Sequence, residues 1–506
     1  MEFKKFFLKV SSFTLGTLIS RITGLFREMV FAYLFGASYA TDCFNIAFRI
    51  PNLLRDMFSE SALSAAFVPT FCEKMKGKEK RNMDYSLSLF ASNVLNFLIL
   101  IVGIITLLLI LFSFYVVKII SFGFAQDLIK FNLTLNLTRI MLPFLFFISL
   151  ASWAMGILIA YGYFFVSAVS SAIFNILSIL IPLFTYTLFL KLNYEPILSM
   201  AYGVLFGSLF QFLFLIIFLK RLGYRYYFYL SLKDEALRKV FKLYLPVIFG
   251  LAAYQINFFV NTILITFLEE KSITYLNYAY RVMHLPAGLF GVAVGSVALQ
   301  EFSFSEKEEI KDNIFVPIKI NTLLLIPASL IFIILSLPIT RILYERGRFS
   351  FADSYYTAIA LSLYSLLIFP SSLVRVFASL FYSLKNTKTP ALIGFLSVFL
   401  NISLNLLLMR KIGFKAFPIS ASLATFFQAI ILYFLLKKKV GIKIINKETK
   451  GFFLKTSYFL ILFSLSLYFF YHFFNFLKIS YILSFFLTLL ISGFIFLSFL
   501  KKMQIF

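Results

Sequence analysis

Residues 20–60 of the chain read SRITGLFREMVFAYLFGASYATDCFNIAFRIPNLLRDMFSE, and the rest of the chain has to be built around this stretch. Its surroundings are strongly apolar, yet it contains the four arginines Arg21, Arg27, Arg49 and Arg55. On insertion scales an arginine at the centre of a membrane helix costs about 2.5–3.5 kcal/mol, so four in two adjacent spans oppose much of the apolar gain. We therefore predict that these side chains face water or a ligand at membrane depth.

The composition indicates a polytopic membrane protein. The 506 residues are 61% hydrophobic and 14% charged, whereas soluble domains are roughly 45–50% apolar and about 25% charged. The net charge of +25 is explained by cytoplasmic loops under the positive-inside rule, so we expect no nucleic-acid partner. Cys43 and Cys72 form no disulfide or ligand pattern. No cleaved leader is expected, because Arg21 interrupts the first apolar run.

Apolar runs of about 20 or more residues predict about fourteen transmembrane helices and an all-α fold. Two pseudo-symmetric six-helix lobes, 1–225 and 226–440, are expected around a central cleft, followed by two further helices within 441–506. The predicted spans lie near 8–34, 40–72, 84–115, 127–155, 163–190, 197–220, 238–268, 272–300, 314–340, 353–384, 389–410, 416–436, 452–476 and 479–500.

Loop charge predicts the orientation. Lysine and arginine concentrate in alternate connections, such as 74–81, 220–242 and 437–450, and the positive-inside rule assigns these to the cytoplasm. The loop at 341–348 and the basic residues of 410–415 are exceptions. Both termini are predicted to be cytoplasmic.

A short internal repeat supports the two lobes. Asn45-Ile-Ala-Phe-Arg49 recurs as Asn277-Tyr-Ala-Tyr-Arg281, and the triplet 174–176 resembles 400–402. Six spans separate the two copies of the first motif, so both copies run the same way through the membrane. Parallel repeats of this kind place a shared cleft near the midplane.

Helical spacing predicts which charged side chains share a stripe. Residues seven apart lie nearly in line, about 10.5 Å from one another. This spacing aligns Arg21 with Glu28, and it aligns Asp42 with Arg49 and Asp56.

Two interpretations of these charges remain open. In the first, guanidinium groups line the cleft and form bidentate hydrogen bonds to phosphate or carboxylate oxygens, a geometry that lysine cannot reproduce. In the second, the groups form internal ion pairs, because four carboxylates match the four arginines. We favour the anion site, since Arg281 adds positive charge from the other lobe without a neighbouring carboxylate. The four carboxylates are Glu28, Asp42, Asp56 and Glu60.

Other candidates are weaker. His284 follows Arg281 by one turn, although a lone membrane histidine is more often a packing group. Arg139 and Arg375 are further candidates for the cleft. Gly24 is predicted to allow close helix approach. The chain contains no P-loop and no HExxH sequence, so we expect a transporter driven by a gradient or by its substrate, with no metal and no cofactor.

Four motifs resemble the MurJ (MviN) lipid II flippases of the multidrug/oligosaccharidyl-lipid/polysaccharide exporter superfamily. The resemblance implies movement of lipid II, an undecaprenyl-pyrophosphate-linked precursor of peptidoglycan, across a bacterial cytoplasmic membrane. It also implies that the last two helices form a groove for the prenyl tail. The motifs are SRITGLFRE at 20–28, GASYATDCFNIAFRIPNLLRDMFSESALSAAFVP at 36–69, YAYRVMHLPAGLFGVAVGSVALQEFS at 278–303 and LKNTKTPALIG at 384–394.

The resemblance carries over site residues. It implies a functional acidic position at Asp42, a commonly basic position at Arg49 and essential cleft arginines at Arg21, Arg27, Arg55 and Arg281. The predicted substrate-binding set is Arg21, Arg27, Arg49, Arg55, Arg281, Asp42, Glu28, Ser20 and Asn52.

The chain also departs from its relatives. Tyr280 stands beside Arg281 where relatives often have aspartate. Asn261 and Asn405 stand where relatives can have aspartate. A candidate cation site is therefore Asn261 with Asn401 and Asn405, and its neutral amides leave sodium coupling open.

The partners expected from the resemblance are lipid II, membrane lipids and cell-wall synthesis enzymes, with the membrane potential as an energy source. The alternatives within transporters are a flippase for another polyprenyl-linked saccharide and a drug exporter. A membrane enzyme acting on the same lipids and a non-transporting scaffold are alternatives from other classes.

Overall fold

A computed structural model describes residues 2–55, 61–75, 82–304, 314–384, 386–441 and 447–502. Within these ranges the chain is built of helices and short connections without a β-strand, which confirms the predicted all-α fold. The α-helices are α1 Glu2–Phe35, α2 Tyr39–Arg55, α3 Ser61–Lys74, α4 Tyr85–Leu111, α5 Ser113–Ile120, α6 Leu128–Met141, α7 Pro143–Ala160, α8 Phe164–Lys191, α9 Leu198–Arg221, α10 Glu235–Ile265, α11 Ser272–Pro286, α12 Val292–Phe304, α13 Phe315–Ile334, α14 Ser336–Tyr344, α15 Phe351–Ser365, α16 Ile368–Ser383, α17 Lys388–Ile412, α18 Ala416–Val440, α19 Lys447–Phe476 and α20 Tyr481–Lys502.

Length and apolar character confirm a multi-pass membrane protein. Among the described residues, nine helical segments are long and apolar enough to cross a membrane. The total of about fourteen spans stays a prediction. Several predicted spans consist of two helices in sequence; the span at 127–155, for example, divides between Met141 and Pro143. Proline lacks the N–H that would continue the hydrogen-bond ladder, so a new helix begins with it.

Side-chain caps explain where several helices begin. Asp84, Asp127 and Asp234 each accept hydrogen bonds from backbone N–H groups in the first turn of α4, α6 and α10, respectively. Ser350 and Asp353 form a reciprocal capping box at the start of α15. These short polar side chains satisfy N–H groups that have no partner within the helix.

Small residues allow close contact between α1, α8 and α9. A Cβ atom added at Gly16 would lie 2.7 Å from Cβ of Ala168, and one at Gly207 would lie 2.9 Å from the carbonyl oxygen of Phe174. Close approach through small residues is a general way to pack membrane helices. The interface places α8 directly beside the arginine-bearing part of α1.

The chain forms two compact units, 1–271 and 272–506. In the first unit α1 packs on α8, α2 on α6, and α3 on both α7 and α10. In the second unit α11 packs on α15, α12 on α16, and α19 on α13 and α20. The boundary of the first unit lies later in the chain than 225 because α10 packs against helices of that unit. The predicted lobes 1–225, 226–440 and 441–506 stay a prediction.

Candidate functional site

The Arg27 side chain is held by three neighbouring side chains in the first unit. Its Nε and Nη2 atoms both donate to Oε1 of Glu28, at 3.1 and 2.8 Å. Its Nη1 atom donates to Oδ1 of Asn175 on α8 at 3.2 Å, and its guanidinium carbon lies 5.4 Å from the ring centre of Phe174. A carboxylate, an amide and an aromatic ring therefore fix the plane of this guanidinium.

Asn175 joins this position to the backbone of α1. Its Nδ2 atom donates to the carbonyl oxygen of Ser20 at 3.0 Å and lies 3.3 Å from Oγ1 of Thr23. The side chain is buried. Asn175 is not among the predicted site residues. The only sequence signal for it is the similarity of its triplet, 174–176, to 400–402.

Arg21 differs from Arg27. It is exposed on the surface of its unit, and it makes no hydrogen bond or ion pair within the described part of the chain. Glu28 therefore pairs with its neighbour Arg27, and the shared stripe of Arg21 and Glu28 does not become an ion pair. Long side chains on adjacent residues can meet even though their Cβ atoms point in different directions.

Arg49 contacts α10. Its Nη1 atom donates to Oγ1 of Thr262 at 3.1 Å, and its guanidinium carbon lies 5.3 Å from the ring centre of Phe258. Both partners belong to the first unit. The guanidinium of Arg49 is thus oriented by the helix that sequence analysis had assigned to the second lobe.

Asp42 lies in the first turn of α2 and is buried. Its Oδ2 atom accepts a hydrogen bond of 2.6 Å from the backbone N–H of Lys271, a residue with a left-handed φ of 73°. Nearby, the Tyr39 hydroxyl donates to Glu195 at 2.6 Å, and the Tyr39 backbone N–H donates to Glu270 at 3.2 Å. Asp42 therefore fixes the backbone that follows α10.

The end of α2 carries two more predicted site residues. Asn52 and Arg55 are half-buried, and Arg55 is the last residue of the helix. Asp56 and Glu60, which the ion-pair interpretation requires, lie outside the described residues. Arg139 is exposed, and its Nε atom donates to Oγ of Ser113 at 2.9 Å.

In the second unit, Arg281 lies half-buried on α11. The ring of Tyr280, the residue before Arg281, packs against His284 and Tyr364 at centroid distances of 4.2 and 5.5 Å. Arg375 on α16 donates from Nη1 to the carbonyl oxygen of Ala287 at 3.2 Å. His284 thus contacts the Tyr280 ring, and its place in the cleft stays a prediction.

The candidate cation residues are bound to other amides. Asn261 donates from Nδ2 to Oδ1 of Asn257 at 2.8 Å. Asn405 donates in the same way to Asn401 at 3.4 Å, and both of these side chains are buried. Among the described residues no group of three or more His, Cys, Asp or Glu could hold a metal ion. These neutral amides lack the carboxylate that a divalent cation would prefer.

Comparisons with known proteins assign the chain to a family. A family model described as "Lipid II flippase MurJ" matches residues 31–489. Proteins named "Probable lipid II flippase MurJ" from Buchnera aphidicola subsp. Schizaphis graminum and from Bdellovibrio bacteriovorus are each 34% identical to this chain and cover 84% of it, over 82% and 80% of their own length.

Solved structures agree with this assignment. A lipid II flippase MurJ in an inward closed conformation superimposes with a TM-score of 0.79 at 28% identity, covering 97% of this chain and 99% of that one. An inward-facing MATE family transporter of the MOP superfamily, at 13% identity and a TM-score of 0.67, covers 86% of this chain and 98% of its own, and it shares the fold. These names describe transporters and not enzymes. The chain belongs to the lipid II flippase MurJ family.

Proposed function

We propose that this chain is a flippase that moves lipid II from the inner to the outer leaflet of the bacterial cytoplasmic membrane, for cell wall synthesis. Membership of the MurJ family supports lipid II as the substrate. The main structural support for an anion-binding site is the Arg27 guanidinium. Its orientation is fixed by contacts with Glu28, Asn175 and Phe174. A fixed planar fork of donors suits the oxygens of a pyrophosphate better than a flexible ammonium does.

In this proposal the chain binds only the polar head in a cleft. The guanidinium groups of Arg21, Arg27 and Arg281 are proposed to replace the water around the pyrophosphate. Ser20, Glu28, Asn52 and Arg55 complete the set on α1 and α2. The prenyl tail stays in lipid, along a groove formed by α19 and α20. Alternating access then exposes the head on the other side.

Arg49 and Asp42 have a different role in the proposal. Because Arg49 bonds to Thr262 and Asp42 bonds to the backbone of Lys271, both hold α10 and its end against α2. We infer that they position the helices that carry the cleft.

The membrane potential supplies the proposed driving force. An inside-negative potential favours outward movement of anions by about 2.3 kcal/mol per charge per 100 mV, so a doubly charged diphosphate gains about 4–5 kcal/mol. A coupling cation would be held by Asn261, Asn401 and Asn405. Since these are neutral amides bonded to other amides, we assign no step to such a cation.

The proposal also covers orientation and partners. Both termini lie in the cytoplasm, as the charge of the connections predicts. Membrane lipids surround the spans, and cell-wall synthesis enzymes are the expected users of the translocated precursor.

Reconstitution with labelled lipid II tests the function. The purified chain is placed in vesicles, and the label that reaches the opposite leaflet is measured and analysed chemically. Unchanged lipid II in that leaflet supports transport, whereas a new product would indicate catalysis. Arg27→Ala and Arg281→Ala should reduce the rate to background. Arg410→Ala, which removes an exposed arginine at the end of α17, serves as the matched control.

Complementation tests the substrate in the cell. Bacteria depleted of their own lipid II flippase should grow when they produce this chain, and they should lyse when they produce the Arg27→Ala variant at the same level. Equal growth with the natural chain and with the variant would refute the role of Arg27. Lysis with both proteins would refute lipid II as the substrate.

A further inference from the structure

The connection between α9 and α10 exposes apolar side chains on an ordered backbone. Residues 222–234, which we term the strap, follow the candidate span Leu198–Arg221 and therefore lie at a membrane–water boundary. Phe228 is 97% exposed, and Leu230 and Leu232 are 47% and 59% exposed. Leaving a phenylalanine uncovered in water forgoes a large part of its burial energy.

Polar side chains of α4 hold the strap. Asn96 donates from Nδ2 to the carbonyl oxygens of Tyr227 and Tyr229, at 3.1 and 3.0 Å. Asn93 accepts from the backbone N–H of Ser231 at 2.8 Å and donates to its carbonyl oxygen at 3.2 Å. The strap is therefore a fixed surface, and its exposed aromatic ring is part of that surface.

A further bond fixes the beginning of the strap. The hydroxyl groups of Tyr224 and Ser92 lie 2.9 Å apart, and Ser92 also accepts from the backbone N–H of Tyr227 at 3.1 Å. Burial raises the pKa of Tyr224 to about 12. The side chain of Tyr224 thus points inward, whereas that of Phe228 points outward.

The exposed apolar side chains stand among positive charges. Residues 220–242 contain seven lysines and arginines against two carboxylates. One of these carboxylates, Asp234, is occupied in capping α10. Arg225 and Lys233 are exposed within the strap itself. Phenylalanine and leucine side chains of interfacial segments enter the boundary between headgroups and acyl chains, and lysine and arginine near the surface attract anionic lipids.

We propose that the strap is a binding surface for the headgroups of anionic phospholipids, with Phe228 inserted at the boundary between headgroups and acyl chains and Arg225 and Lys233 contacting the phosphates. The occupant is the membrane in which the chain itself lies, and the charge and position of the strap both favour it. This inference does not depend on transport of lipid II.

Fluorescence quenching by brominated lipids tests the proposal. Phe228→Trp places a tryptophan on the strap of the full-length chain, and the single natural tryptophan, Trp153, is buried. The natural chain, measured in parallel, gives the background from Trp153. The variant is reconstituted into vesicles of mixed phosphatidylcholine and phosphatidylglycerol, in which one lipid or the other carries the bromine. Both leaflets have the same composition, so the orientation of the chain does not matter.

We expect the strap tryptophan to be quenched by both lipids, with about fivefold enrichment of brominated phosphatidylglycerol at the strap over its bulk fraction. Equal quenching per mole of either lipid would overturn the preference for anionic headgroups. Quenching by aqueous iodide alone would overturn the membrane contact and would favour a soluble protein as the occupant.

Variants without the strap charges test whether these charges cause the preference for phosphatidylglycerol. Arg225→Gln/Lys233→Gln in the Phe228→Trp chain should abolish the preference for phosphatidylglycerol. Lys411→Gln/Lys415→Gln, which removes one exposed charge from the last turn of α17 and one from the connection to α18, should leave the preference unchanged. An unchanged preference in the first double variant would refute the role of the two strap residues. Because Phe228→Trp alone already gives the main result, the test does not depend on how well these variants fold.

Discussion

Arg27 and Arg21 lie on the same helix, yet their surroundings differ. Arg27 is bound by Glu28, Asn175 and the Phe174 ring, whereas Arg21 is exposed and forms no hydrogen bond within the described residues. The charge of Arg27 is thus partly compensated before any ligand arrives, and its orientation is fixed. The comparison teaches that a binding arginine in a membrane can be stabilised by its own protein, at the expense of some attraction for the anion.

Arg27→Ala should have the largest effect. It removes an ion-pair partner of Glu28, whose side chain is 9% exposed, and breaking a buried pair is expected to destabilise the protein by about 3 kcal/mol. Lipid II transport in vesicles should fall to background, and thermal unfolding in detergent should report the loss of stability.

A double variant separates the two losses. Arg27→Met/Glu28→Gln removes both charges, so it should recover most of the stability without recovering transport. Recovery of transport in this variant would mean that Arg27 acts through stability alone.

Replacement of Arg27 or Arg21 by lysine tests whether the two side chains differ in their need for a guanidinium group. Arg27→Lys keeps the charge but cannot donate to Glu28 and Asn175 in one plane, so we expect about a tenfold lower transport rate. Arg21→Lys loses the bidentate contact to the ligand but no protein partner within the described residues, so we expect a smaller loss of about twofold. Initial transport rates provide the measurement, and similar losses in both variants would contradict the proposed difference.

Asn175→Ala should have a smaller effect. It removes the hydrogen bonds to Arg27 and to Ser20, which together are expected to contribute about 2 kcal/mol. Transport should fall several-fold because Arg27 loses one of its supports. Asn175→Asp keeps an acceptor for Arg27 but no donor for the Ser20 carbonyl, so its transport rate should exceed that of the alanine variant. The reverse order would show that the bond to Ser20 is the one that matters.

Two glycines on α1 test its packing on α8. A Cβ at Gly16 would lie 2.7 Å from Cβ of Ala168, so Gly16→Ala must move α1 from α8 and should cost about 1–3 kcal/mol. A Cβ at Gly24 would lie 3.4 Å from Nδ2 of Asn175, and Gly24→Ala should change the free energy of unfolding by less than about 0.5 kcal/mol. Thermal unfolding of the two variants in detergent compares them directly. Equal stabilities would contradict the packing of α1 on α8 described above.

The all-α fold could be predicted from the sequence, but the partners of the charged side chains could not. The helices follow from runs of apolar residues, which are local. Arg27 bonds to a residue 148 positions away and Arg49 to one 213 positions away. Spacing along one helix indicates which residues share a face, but it contains no information on the neighbouring helix. Asn175 was missed for that reason. The packing of α10 against α3 likewise depends on contacts that connectivity alone does not show.

The hydrogen bond from Lys271 to Asp42 has a consequence for biosynthesis. Lys271 is the last residue of the first unit, and its N–H is bound by a carboxylate on a helix that the ribosome has produced much earlier. Every contact that closes this unit can therefore form before Ser272 leaves the exit tunnel. The first half of the chain can mature in the bilayer while the second half is still being translated.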